Sequence, residues 1–110
     1  MHIFTAGFEE TGEPEGKELG EKVREIARRG ELRIIGPNCM GLTVPGARMS
    51  TLFESLAESG PVAFITQSGT LAGNYNRYAE AFGFRFSKVF SFGNAYVLDS
   101  TDFLEYLAED

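Results

Sequence analysis

Residues 61–71 read Pro-Val-Ala-Phe-Ile-Thr-Gln-Ser-Gly-Thr-Leu, and no other stretch limits the fold so strongly. A short apolar run, the pattern of a buried strand, stops at a Ser-Gly pair and passes at once into a helical pattern. A turn of that kind aims free backbone N–H groups and the positive end of a helix dipole at one spot. Such a spot suits an anion, a phosphate in particular. A second turn, Gly-Pro-Asn-Cys-Met-Gly at 36–41, follows another short apolar run. Two such turns in 110 residues predict an α/β protein that handles a phosphorylated ligand.

The hydrophobic pattern fills in the rest. Residues 2–6 read as a strand. Leu19, Val23, Ile26 and Ala27 fall at spacings of three and four and predict one buried face of a helix over 17–29, closed by Gly30. Residues 32–35 then read as a strand, which completes a strand–helix–strand unit of a parallel sheet. The stretch 42–60 reads as a turn and linker, with a short helix around Phe53 to Glu58. A second unit follows: a strand over 62–66, a helix with Leu71, Ala72, Tyr75, Tyr78, Ala79 and Phe82 on its inner face, a stop at Gly83, and a strand over 86–92. Gly93 and Asn94 make a turn. Asp99 or Ser100 caps a last helix, with Phe103, Leu104 and Leu107 turned inward.

Composition excludes several classes. The 16 acidic residues outnumber the 10 basic ones, for a net charge of −6. That disfavours nucleic acid, whose binding rests on Lys and Arg contacts to phosphate. Hydrophobic residues make up 43% of the chain, enough for a packed core. No apolar run approaches a membrane span, and no signal peptide pattern is present. The expectation is a cytoplasmic protein with no membrane partner. The single cysteine, Cys39, and the single histidine, His2, make no zinc-binding pattern, so no metal site is expected.

The turns carry two readings each. Ser68, Gly69 and Thr70 form an anion cradle, or Ser68 simply caps the helix while Gly69 lets the chain turn. A serine nucleophile is disfavoured, because Thr66 stands where a G-x-S-x-G elbow needs glycine. At 36–41, Asn38 is favoured as a ligand contact over Cys39 as a catalyst, since no base lies near the thiol in sequence. The Thr5-Ala6-Gly7-Phe8 turn and the turn at Gly93 and Asn94 sit at strand ends, where open sheets bind ligands. His2 reads as exposed and incidental. The run of Glu9, Glu10, Glu13, Glu15 and Glu18 reads as a solvated surface. No catalytic residue is assigned.

Taken together, FTAGFEE (4–10), RIIGPNCMGL (33–42), GPVAFITQSGTLAG (60–73) and SFGNAYVLDSTDFLEYLAED (91–110) resemble the NDP-forming acyl-CoA synthetases, relatives of the succinyl-CoA synthetase α subunit. The resemblance implies that residues 1–55 are the C-terminal part of a CoA-binding Rossmann-like domain. It implies that 60–110 begin a flavodoxin-like parallel-sheet domain. Coenzyme A would meet Thr5, Ala6, Gly7 and Phe8, with Asn38 near the thiol end. Ser68, Gly69 and Thr70 would receive the phosphate of a phosphohistidine. The family reaction joins a carboxylic acid to CoA at the expense of ATP or GTP with Mg, through an acyl phosphate, and it needs an ATP-grasp subunit or domain. The phosphorylated histidine and the Gly-rich half of the CoA domain have no counterpart here. The chain is therefore expected to be a fragment that does not turn over alone. The alternatives are a non-catalytic CoA- or nucleotide-binding module and a structural partner subunit.

Overall fold

Val62–Thr66 and Phe86–Ser91 (β3 and β4) run parallel and side by side, joined by a helix over Gly69–Ala81 (α2). This is the strand–helix–strand unit expected from the sequence. The computed structural model describes residues 1–51 and 58–110. Its sheet has the order β2-β1-β4-β3, where β1 is Gly41–Val44 and β2 is Met49–Ser50. β1 runs antiparallel to both of its neighbours, pairing Thr43 with Ser50 and Leu42 with Phe90. The sheet is thus mixed, and the fold is α/β.

β1 and β2 correct the reading of 42–60 as turn and linker. Pro45 and Gly46 do turn the chain, but as the loop of a hairpin whose arms are too short to show an alternating pattern. Thr43 ties the hairpin internally through its hydroxyl, 2.7 Å from that of Ser50. The helix expected around Phe53 to Glu58 falls almost wholly outside the described residues, and Glu58 itself lies in no regular element.

The expected strands over 2–6 and 32–35 reduce to one parallel bridge between His2 and Ile35. Only two rungs form among the described residues, Ile3 N to Ile35 O and Ile35 N to Met1 O, both at 3.0 Å. The carbonyl of Arg33 is taken by the N-terminal ammonium at 2.7 Å, and Gly36 turns the chain away at φ +102°.

The first helix, α1, spans Pro14–Arg29 and starts earlier than the apolar spacing indicated, because Pro14 is well placed in a first turn. Its buried line is Gly16, Gly20 and Ala27, whereas Leu19 and Ile26 are exposed. The predicted apolar face is therefore corrected to a stripe of small residues. A side chain at Gly16 would run into the carbonyl of Phe8, and one at Gly20 into the hydroxyl of Tyr96. Gly30 is not the left-handed residue either. Glu31 takes that conformation at φ 49°, and Leu32 N closes the end by donating to Ala27 O at 2.9 Å.

α2 lies on one side of the sheet, where Ala72, Ala79, Phe86 and Val89 form the core with Met40 and Phe64. Leu71, Tyr75, Tyr78 and Phe82, expected inside, are largely exposed. The helix approaches the strands through small residues, so its aromatic side overhangs β3, the sheet edge. Gly83 stops it with φ +69°, as expected. A third helix, α3 (Ser100–Ala108), carries Phe103, which stacks on Phe90 with centroids 4.7 Å apart. Asp99 caps it by accepting from Thr101 N at 2.7 Å, and the carboxylate of Asp102 accepts in turn from Asp99 N at 2.9 Å. Leu104 faces solvent, contrary to expectation.

Candidate functional site

The C-terminal ends of β3 and β4 open onto a cavity of about 630 Å³. One wall is Thr66, Gln67, Ser68, Gly69 and Leu71, the strand end and first turn of α2. The other wall is Glu10, Asn38, Gly93 and Asn94. Among the described residues, no Lys, Arg or His lines it. The one ionisable group among the described lining residues is the Glu10 carboxyl, so an anion there would have to be held by backbone amides and the α2 dipole.

Ser68 holds the helix end. Its hydroxyl accepts from Leu71 N at 3.2 Å, and its own N–H donates to Thr66 Oγ1 at 3.1 Å. Gly69 sits where any side chain would run into Met40. The capping role of Ser68 is real, and Ser68 lines the cavity as well.

Gly93 ties the two walls together, and Asn94 ties its own wall to the loop before Asn38. Gly93 N donates to Gln67 O at 3.2 Å, and Asn94 N donates to Pro37 O at 2.9 Å. Gly93 has φ +59°, and a side chain there would run into the carbonyls of Pro37 and Asn38. Only glycine permits so close an approach in that conformation.

Asn38 is left-handed, φ 54°, and its N–H donates to Thr5 O at 3.0 Å. Its Nδ2 donates to Asn94 Oδ1 at 3.2 Å, and Asn94 Nδ2 donates to Glu10 Oε2 at 2.6 Å. The other oxygen of Glu10 accepts from Gly7 N at 2.7 Å and Phe8 N at 3.1 Å. Desolvation pushes the Glu10 carboxyl up, but the bonds from Gly7, Asn94, its own amide and Phe8 outweigh it and bring it down to about 2. Gly7, at φ +109°, has open space around it.

The structure therefore brings Asn38, Ser68 and Gly69 to one cavity. Thr5 and the amides of Gly7 and Phe8 stand one bond behind that wall. Ala6 is exposed and Thr70 lies on the exposed first turn of α2; neither lines the cavity. Sequence reasoning missed Glu10, placed in a solvated acidic run, and Gln67. It noted Gly93 and Asn94 without assigning them a role.

His2 is half-buried, not exposed as expected. Its Nε2 lies 3.2 Å from Cys39 Sγ, and its ring stacks near Phe4 with centroids 3.9 Å apart. Burial raises the Cys39 thiol, and burial together with the N-terminal ammonium lowers His2. Both shifts favour a neutral thiol beside a neutral imidazole, not a reactive thiolate. Neither residue lines the cavity.

Residues 59–110 match the model of the succinyl-CoA ligase like flavodoxin domain. The chain is 47% identical over 109 residues to the α subunit of acetate–CoA ligase [ADP-forming] II of Pyrococcus furiosus, a match that spans 97% of this chain and 23% of the relative. It is 36% identical to 4-hydroxybutyrate–CoA ligase [ADP-forming] of Nitrosopumilus maritimus, over 96% of this chain and 16% of the relative. Over nearly all of its length the chain is similar to ADP-forming acyl-CoA ligases, as a segment of such proteins.

Solved structures of similar proteins agree with the fold. A Pyrococcus horikoshii OT3 protein superposes with a TM-score of 0.90 at 39% identity, covering 99% of this chain and 25% of that one. The dinucleotide forming acetyl-coenzyme A synthetase 1 of Ca. Korarchaeum cryptofilum, in complex with phosphate and ADP, superposes at 0.88 and 34%, covering 99% and 23%. The chain thus spans about a quarter or less of the length of these family members. Among the described residues, no helix is long and apolar enough to cross a membrane.

Proposed function

We propose that this chain supplies two adjoining ligand contacts of an acid–CoA ligase: a CoA contact centred on Asn38 and a phosphate-receiving turn at Ser68 and Gly69. The observation that carries this reading is that Asn38 and Ser68, far apart in sequence, line the same cavity. That position, outside the carboxyl ends of β3 and β4, is where open α/β sheets bind ligands. The named activities of the relatives, and the phosphate and ADP held by one structural relative, support it.

In this reading residues 1–55 form the end of a CoA-binding domain and 60–110 begin the flavodoxin-like domain behind it. Thr5, Ala6, Gly7 and Phe8 shape the loop along which the CoA arm lies. The residues present fit such a ligand, since Asn38 Oδ1 has no hydrogen bond among the described residues and Gly7 leaves its surroundings open. CoA supplies the thiol that accepts the acyl group. Asn38 orients that end of the arm. The first turn of α2, with Ser68, Gly69 and Thr70, holds a phosphoryl group by backbone N–H and hydroxyl donors and so stabilises its charge. ATP or GTP with Mg, the acid substrate, the phosphorylated histidine and the ATP-grasp partner belong to the complete enzyme.

The test is calorimetric titration of CoA into the purified, folded chain. Saturable binding, weakened by Asn38→Ala and by Gly7→Val, is the expected result. A folded chain that shows no saturable CoA binding overturns the CoA contact.

A further inference from the structure

The polar contacts behind the cavity form a relay with a fixed direction. A carboxylate can only accept hydrogen bonds. Glu10 Oε2 therefore requires the NH₂ of Asn94, 2.6 Å away, which turns Asn94 Oδ1 toward Asn38. Asn38 answers with its own NH₂, at 3.2 Å. Its remaining group, Oδ1, accepts from nothing among the described residues, and Asn38 lines the cavity. The chain of contacts spans 84 residues of sequence between Glu10 and Asn94 and 56 between Asn38 and Asn94.

We propose that Glu10 is the positioning residue that sets the orientation of the Asn38 amide, so that the site offers its ligand a carbonyl acceptor and selects a hydrogen-bond donor. This rests on the reading of Asn38 as a CoA contact. The donors such an arm carries are its thiol S–H, its amide N–H groups and its hydroxyl O–H. Glu10 stays ionised over the whole physiological range, because its desolvation is outweighed by three backbone amides and Asn94 together. The relay therefore keeps one polarity. Glu10 meets Gly7 and Phe8 in the same loop, so it also holds the 7–10 loop against the turn at Asn94.

Glu10→Gln keeps the shape but adds an NH₂, and with it the freedom for both asparagines to invert. The test reads the side-chain amides of ¹⁵N-labelled protein by NMR, in wild type, Glu10→Gln and Glu10→Ala. The expected result is a shift of the Asn38 NH₂ cross-peaks in both variants, although Glu10 does not touch Asn38, with the backbone amides of β4 unmoved. Unchanged Asn38 cross-peaks overturn the proposal, and this arm needs no ligand. In calorimetry, Glu10→Gln is expected to weaken CoA about fivefold, the scale of one hydrogen bond. Asn38→Ala should then add little in the Glu10→Gln background, whereas fully additive losses also overturn the relay. Desulfo-CoA separates the thiol from the other donors: weaker binding than CoA assigns the acceptor to the thiol, and equal binding to an amide or the hydroxyl of the arm. Shifted Asn38 peaks in a chain that does not bind CoA would sink the CoA reading and leave the orienting role of Glu10 standing.

Discussion

The side-chain amide of Asn38 donates to Oδ1 of Asn94 across 3.2 Å, joining the loop after Ile35 to the turn after β4. That bond and the bond of Asn94 to Pro37 close one wall of the cavity, and the bond of Gly93 to Gln67 ties it to the opposite wall. The cavity is therefore a junction between the segments around Asn38, Ser68 and Asn94, and substitutions that loosen the junction should reach it.

Ser68→Ala removes the hydroxyl that accepts from Leu71 N. Loss of an N-cap costs about 1 kcal/mol. Urea denaturation should show a stability loss of that size, with the chain still folded in water. Phosphate affinity should fall as well; a stability loss without any change in phosphate affinity would restrict Ser68 to capping.

The hydroxyl of Tyr96 is buried with no hydrogen-bond partner among the described residues. It lies against Gly20 of α1, and the guanidinium of Arg24 sits 3.9 Å from the ring centroid. An unsatisfied buried polar group is a net cost of about 1–3 kcal/mol. Tyr96→Phe should leave stability unchanged or raise it. Gly20→Ala should be destabilising, because the added methyl meets that hydroxyl, and Tyr96→Phe should partly rescue it. Thermal melts of the two single variants and the double variant measure the coupling.

The Glu10 carboxyl, lowered to about 2 from an ordinary value of 4.5, links stability to pH. A group whose pKa is depressed by folding stabilises the folded state above its unfolded value. That contribution is present above about pH 4.5 and is lost as pH falls toward 2. Melts of wild type and Glu10→Gln should differ at about pH 6 and converge near pH 2. A difference that persists at the acid end would assign the effect to shape and not to charge.

The second half of the fold was legible because β3, α2 and β4 follow one another with periodic apolar residues and end at Ser68, Gly83 and Gly93. The hairpin of β1 and β2 was not, since arms of four and two residues carry no period and Pro45 with Gly46 reads as turn alone. The buried stripe of α1 was hidden for a related reason. Gly16 and Gly20 carry no hydrophobic signal, yet they allow the closest approach, and they leave Leu19 and Ile26 outside. At the site, Asn38, Ser68 and Gly69 were visible as strand-end turns. Glu10 was masked by the acidic residues around it, because its role depends on Asn94, 84 residues away.

The most direct measurement is a CoA titration followed by ¹H–¹⁵N NMR, reading the Asn38 side-chain amide and the Gly69 backbone amide together. If both walls belong to one ligand cavity, the two signals move along a single saturation curve. Movement of Asn38 alone, or of neither, would contradict a shared cavity and separate the loop at Asn38 from the turn at Gly69.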